Sequence, residues 1–144
     1  MIIRPIEIKD RTEWNVLWRG YLDYYETELA AEMYELAFDR MLSGKDGEFH
    51  GMVAEKDGEL IGLVHYLFHR HGWRVEPVIY LQDLYVNNAA RGTGAGRALI
   101  EAVYKAADAA ECPSVYWLTQ DFNENGRRLY DRVASKTPFI KYAR

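Results

Sequence analysis

The segment Arg91-Gly92-Thr93-Gly94-Ala95-Gly96-Arg97 carries the clearest chemical signal in the chain. Three glycines within five positions let a ligand approach the backbone, and a helical apolar pattern follows directly. A helix start presents unpaired N–H groups and the positive end of the helix dipole, so the segment suits an anion. Arg91 and Arg97 add positive charge at either end, which makes a diphosphate the expected ligand. The alternative is a turn softened by glycine that binds nothing.

Two nucleotide motifs fail on spacing. A P-loop needs lysine and Ser/Thr after its last glycine, and no lysine follows here. A Rossmann fingerprint needs a third glycine where Arg97 stands, an early βαβ unit, and an acidic residue about 20 positions on.

Other reactive side chains say less. His65, His69 and His71 share one parity of a strand, but they span roughly 20 Å of extended chain, too far to meet around one metal ion. Cys112 is the only cysteine, so no internal disulfide is possible, and its place before Pro113 suggests packing. Trp18, Tyr21, Tyr24 and Tyr25 lie beside Asp23, Glu26 and Glu28, and such a mix of aromatic faces and carboxylates suits an ammonium group. Core packing is the competing use of Trp18 and Tyr25, which fall on an apolar stripe.

Regular elements must position these groups. Ile2, Ile3, Ile6 and Ile8 suggest a first strand, and Asp10 with Glu13 has the spacing of a capping box. Trp14, Leu17, Trp18, Tyr21, Leu22 and Tyr25 then form one helical stripe. A second helix is expected over 28–43, with Leu29, Met33, Leu36, Ala37 and Met41 inward and Gly44 as its stop.

Strands over 49–54 and 60–68 meet through Lys56-Asp57-Gly58, a hairpin turn, and 75–86 reads as another strand. A helix over 93–110, a short buried strand over 115–119, a helix over 123–133 and a final strand at 139–142 complete the order βααβββαβαβ. A hairpin first and alternation later imply a mixed α/β sheet with helices on its faces.

At 144 residues the chain has room for one domain, residues 1–144, and its composition is that of a soluble globular protein. A net charge of −4 argues against nucleic-acid binding. The start lacks a signal peptide's apolar core, and no apolar run approaches the roughly 20 residues of a membrane span. A cytoplasmic address and no membrane partner are the expectations.

Arg91, Gly94 and Gly96 occupy the places of Gln/Arg-x-x-Gly-x-Gly/Ala, and Asn123-x-x-Gly126-x-x-Leu129-Tyr130 is similar to Asn-x-x-Ala-x-x-Leu-Tyr. Both motifs, at this separation, resemble the GNAT acetyltransferase superfamily, and the element order extends the resemblance over nearly the whole chain. Tyr80 to Val86 is similar to the fourth strand of polyamine N-acetyltransferases. The tail from Leu129 to Tyr142 looks more like the small histone and D-amino-acid acetyltransferases.

The resemblance implies a sheet of six to seven strands and an acetyl-CoA-dependent transfer of acetyl to a primary amine by direct attack on the thioester. Acetyl-CoA would lie along Leu84, Tyr85 and Val86, on Arg91, Gly92, Thr93, Gly94, Ala95, Gly96 and Arg97, and near Asn123 and Gly126. Tyr130 matches the tyrosine that protonates the departing thiolate. Gln82 stands where polyamine acetyltransferases carry glutamate, and an amide cannot accept a proton at neutral pH, so it would hold a relay water or only bind substrate.

Asp83, Glu76 and Tyr80 are further candidates for the base; strand alternation turns Asp83 to the opposite face from Gln82 unless a bulge intervenes. Tyr21, Tyr24, Tyr25, Glu26 and Gln82 would meet the amine, a polyamine or amino acid being favoured, with no metal. Many relatives form homodimers. A sensor that binds acyl-CoA without catalysis and an acetyltransferase for protein lysines, as in histone tails, remain open alternatives.

Overall fold

The computed structural model describes residues 1–144. Five strands pair in chain order: β1 (Ile2–Pro5), β2 (His50–Lys56), β3 (Glu59–His69), β4 (Val78–Val86) and β5 (Val115–Tyr116). The first four are antiparallel and β5 runs parallel to β4, which makes the sheet mixed. Asp57 and Gly58 both take positive φ, 52° and 80°, the geometry that lets a tight hairpin follow the twist of β2 and β3.

Helices α1 (Arg11–Tyr24) and α2 (Ala31–Ser43) cover one face, where Trp14, Leu17, Trp18, Phe38 and Met41 pack with Val53 and Leu63. Helix α3 (Ala95–Ala109) covers the other, where Leu99, Ile100 and Val103 meet Val64, Ile79 and Leu81. Leu129, Tyr130 and Val133 of α4 (Glu124–Val133) lean on that second core, and the Tyr104 hydroxyl donates to Val133 O at 2.8 Å.

Several sequence expectations change. Asp10 and Glu13 form no capping box: the Asp10 carboxylate takes the Arg4 guanidinium at 2.7 and 2.9 Å and the Glu7 N–H at 2.8 Å, while Glu13 accepts from Leu60 N–H at 3.0 Å. A buried carboxylate gains more from a charged fork than from a helix N–H, and Arg4 holds Asp10 below the usual carboxylate range. Helix α2 begins at Ala31, so Leu29 lies in the loop; Leu36 also faces water, and Phe38 with Met41 supplies the buried contact.

Strand β4 starts only at Val78, because Pro77 has no N–H to pair and restricts the residue before it. The segment expected as a buried strand over 115–119 pairs only at Val115 and Tyr116, and Leu118 is exposed. No strand forms at 139–142; Phe139, Ile140 and Tyr142 face solvent, which leaves five strands instead of six or seven.

Two local irregularities shape β4 and its surroundings. Opposite β4, His65 pairs with Asp83 and Tyr66 with Leu81, so Gln82 is the extra residue of a β-bulge. The bulge shifts the alternation: Ile79 and Leu81 belong to the α3 face before it, Leu84 and Val86 after it. Gly20 lets α1 close on β4, since a Cβ there would lie 2.5 Å from the Tyr85 hydroxyl.

Candidate functional site

Pairing between β4 and β5 ends at Tyr80 with Tyr116, so from Leu81 to Val86 the outer edge of β4 has no strand beside it. The gap opens into a cleft of about 720 Å³. Leu84, Tyr85 and Val86 form one wall, Asn123, Gly126, Leu129 and Tyr130 the other. Arg91, Gly92, Gly94, Ala95, Gly96 and Arg97 close one end, and Tyr21, Tyr24 and Tyr25 contribute from α1 and its C-terminal end.

The glycine end is built for an anion. Gly92 and Gly94 have φ of +81° and +84°, a left-handed backbone that favours glycine, and a Cβ at either would point into open space. The first N–H of this region with a helical partner is that of Ala98, which bonds Gly94 O at 3.0 Å. The six N–H groups from Gly92 to Arg97 therefore have no partner within the protein. Arg91 is exposed, and Arg97 leans on Glu101 at 2.8 Å. Six unpaired donors at a helix start, flanked by two guanidiniums, can satisfy several phosphate oxygens at once.

The opposite wall is fixed by Asn123, whose Oδ1 accepts the Gly126 N–H at 3.2 Å while Nδ2 donates to Thr119 Oγ1 at 3.0 Å. This caps α4 and aims Tyr130 inward. The Tyr130 ring meets Trp117 edge-on at 5.4 Å. Burial, with smaller effects from Tyr25 and Tyr24, pushes the Tyr130 phenol up to about 12, so it stays protonated at neutral pH.

Beside the cleft lies a smaller pocket lined by Tyr21, Tyr25, Leu84 and Tyr130, which also line the cleft, together with Leu81, Gln82, Trp117 and Leu118. Those four shared residues mark where the contents of the two spaces would meet.

Some expected site residues lie elsewhere. Thr93 does not line the cleft; its hydroxyl donates to Ala90 O at 2.6 Å and holds the loop. Glu26 is absent from both spaces, because α1 ends at Tyr24 and Glu26 turns away with φ of 52°. Tyr80 stacks on Tyr116 at 5.0 Å, and neither it nor Glu76 lines the cleft. Arg132 and Asn125 line it although no motif marks them; they stand at i+3 and i−4 from Leu129, on the same helical face.

A buried polar chain across α1, β3 and β4 had no signal in the sequence. Trp14 Nε1 donates to His65 Nε2 at 2.9 Å, His65 Nδ1 lies 2.8 Å from Asp83 Oδ2, and Trp18 Nε1 donates to the same oxygen at 3.3 Å. His69 instead bonds the Tyr116 hydroxyl at 2.8 Å, so these histidines serve separate surroundings. Cys112 is buried and donates to Pro77 O.

A mixed sheet that opens beside its fourth strand, with unpaired N–H groups at the start of the following helix, makes one cleft able to take an extended, phosphate-bearing ligand. The Acetyltransferase (GNAT) family matches residues 14–134. The chain is 38% identical to the D-amino-acid N-acetyltransferase HPA3 of Saccharomyces cerevisiae over all of its length and 90% of that protein.

In fold it resembles a ribosomal-protein-alanine N-acetyltransferase from Brucella melitensis biovar Abortus 2308, with a TM-score of 0.81 and 20% identity over 99% of this chain and 98% of that one. It also resembles AAC(6')-Iy in complex with a CoA bisubstrate analog, with a TM-score of 0.86 and 18% identity over 99% and 96%. The chain belongs to the GNAT acetyltransferase family and is an N-acetyltransferase.

Proposed function

We propose that residues 1–144 act as one catalytic domain that transfers acetyl from acetyl-CoA to the primary amine of a small molecule. The row of unpaired N–H groups from Gly92 to Arg97, in one cleft with the open edge of β4 and Tyr130, carries this reading. Arg91, Gly92, Gly94, Ala95, Gly96 and Arg97 seat the diphosphate, with Thr93 holding their loop. Leu84, Tyr85 and Val86 offer backbone groups to the pantetheine arm and, at the thioester, an N–H to polarise the carbonyl. Asn123 and Gly126 bound the other side of the arm.

Tyr21, Tyr24, Tyr25 and Gln82 receive the amine. The pocket around Gln82 is small and lined by three tyrosines beside Leu81, Leu84, Trp117 and Leu118, which suits a compact amine better than a peptide. Tyr130 supplies the proton to the leaving sulfur, and no metal takes part. An amino acid, already among the expected acceptors, gains support from the relative at 38% identity, a D-amino-acid N-acetyltransferase.

The test is to incubate the purified protein with acetyl-CoA and polyamines, amino acids of both hands, aminoglycosides and a lysine peptide while following free thiol. Thiol release that requires a small amine supports the proposal. Release only with the lysine peptide moves the acceptor to protein, and release with none overturns acetyl transfer to amines.

A second copy of the chain belongs to the same proposal. Phe139, Ile140 and Tyr142 are 84%, 75% and 88% exposed on a tail without regular structure, and β5 is an edge strand with one side unpaired. Apolar tail and open edge complement each other between two copies. Light scattering should then give about twice the 16.8 kDa of the chain, and removal of residues 137–144 should return the monomer; monomer mass for the whole chain at micromolar concentration removes the dimer. We place the activity in the cytoplasm, a reducing compartment that suits one unpaired, buried cysteine, and away from membranes and nucleic acid.

A further inference from the structure

From Leu81 to Val86, β4 is held on one side only. Its outer edge opens to the cleft beyond the pairing of Tyr80 with Tyr116, so the register there depends on β3 alone. The bulge at Gln82 falls inside this stretch and locally interrupts the ladder. A slip of one residue would exchange the faces of Gln82, Asp83 and Leu84, and two of these line the amine pocket.

Four buried side chains hold the register at this point. His65 and Asp83 are paired directly across the two strands, next to the bulge, and His65 Nδ1 lies 2.8 Å from Asp83 Oδ2. Trp14 Nε1 donates to His65 Nε2 at 2.9 Å, and Trp18 Nε1 donates to Asp83 Oδ2 at 3.3 Å. An indole N–H only donates, so His65 Nε2 accepts and Nδ1 is left to donate to Asp83. The imidazole packs against both indoles, its centroid 5.6 Å from that of Trp14 and 5.9 Å from that of Trp18. None of the four is more than 8% exposed, and none lines the cleft or the pocket.

Both ends of this chain lead to the amine pocket. Trp14 and Trp18 lie one turn apart on α1; Tyr21 follows about one turn later, and Tyr25 ends the helix. Gln82 and Leu84 flank Asp83 on β4. Tyr21 and Tyr25 therefore line the pocket from the helix, Gln82 and Leu84 from the strand. The anion seat from Gly92 to Arg97 opens α3, which packs on the opposite face of the sheet.

We propose that Trp14, His65, Asp83 and Trp18 are positioning residues for the acceptor amine: their hydrogen bonds fix the bulge of β4 against α1 and so set the spacing of Tyr21 and Tyr25 from Gln82 and Leu84. The inference rests on the acetyl-transfer reading of the cleft. The open edge that admits the pantetheine arm leaves β4 without a second neighbour, and the bonds to α1 supply the missing constraint. A buried carboxyl drawn out of register would lose two donors with no water to replace them, so the bonded register is strongly preferred.

The experiment measures kcat/KM for the fastest acceptor of the amine panel, with spermidine and leucine of each hand as its first members, and the Kd of acetyl-CoA. Wild type, Asp83→Asn, Asp83→Leu and His65→Leu are compared below their unfolding transitions. Both leucine variants should lose roughly 10–10²-fold in kcat/KM for the amine, while acetyl-CoA affinity changes by less than about threefold. Asp83→Asn keeps an oxygen that accepts from Trp18 and His65, so it should stay within about fivefold of wild type. A role in stability alone would lower Tm and leave both constants of the folded variants unchanged, which overturns the proposal. An equal loss of acetyl-CoA affinity, or an Asp83→Asn variant as slow as Asp83→Leu, overturns it too. Should both leucine variants fail to fold, Trp18→Phe decides: it keeps a ring, removes one donor to Asp83, and should lose about threefold or more in kcat/KM with acetyl-CoA affinity intact. Wild-type kinetics in that variant then overturn the positioning role. A wild type inactive on every amine overturns the acetyl-transfer reading and the positioning role with it.

Discussion

Replacing Tyr130 by phenylalanine is expected to lower kcat by about 10²-fold while acetyl-CoA affinity changes by less than about twofold. The substitution removes one oxygen and keeps the ring that meets Trp117 edge-on at 5.4 Å, so the cleft wall keeps its shape. Burial holds the phenol at about 12, above the ~8.5 of a thiol, so it gives up its proton only as charge develops on sulfur. A thiolate is already a tolerable leaving group, which places the effect at the low end of the range for a positioned acid. Steady-state kinetics beside calorimetric titration of acetyl-CoA separates the two quantities. A kcat within threefold of wild type would remove Tyr130 as the acid; a large loss of affinity with kcat intact would make it a wall of the binding site.

The second large effect is on stability. Trp14 is fully buried and stacks on Trp18 at 5.0 Å, with Phe38 at 5.2 Å and His65 at 5.6 Å on its other sides. Trp14→Ala removes that packing, at about 3–5 kcal/mol, and takes the donor from His65 Nε2. Against a total of about 5–15 kcal/mol, such a loss should lower Tm by roughly 10 °C or more. Trp14→Phe keeps most of the volume and loses the hydrogen bond, so it should cost about 1–3 kcal/mol. Urea unfolding of the three proteins measures both differences. Equal stability of Trp14→Phe and wild type would show that the indole N–H contributes nothing to the buried chain.

Legibility differed between parts of the molecule. Lys56-Asp57-Gly58, Gly44 and the stripe from Trp14 to Leu22 announced a turn, a helix stop and a buried face, because each depends on φ or on spacing within a few residues. Leu36 misled because its spacing fitted the buried face, which α2 builds from Met41, as expected, and from Phe38, which the expected stripe omitted. Val75 misled because apolar character suggested a strand that Pro77 delays. The Phe139–Tyr142 segment has strand composition without a strand beside it.

For the site, Arg91 to Arg97 was readable because an anion seat is made of consecutive backbone groups and needs only local geometry. Asn123, Gly126 and Tyr130 were readable for the same reason, a cap and one helical turn. The sequence by itself thus determined the family, the glycine-rich helix start and the tyrosine helix. Tertiary structure decided that β4 and β5 part after Tyr80, that Gln82 is the bulged residue, and that Asp83 lies between His65 and Trp18. Those contacts join residues up to 65 positions apart through a register shift of one residue, and no local pattern of side chains records a shift that pairing with β3 alone defines.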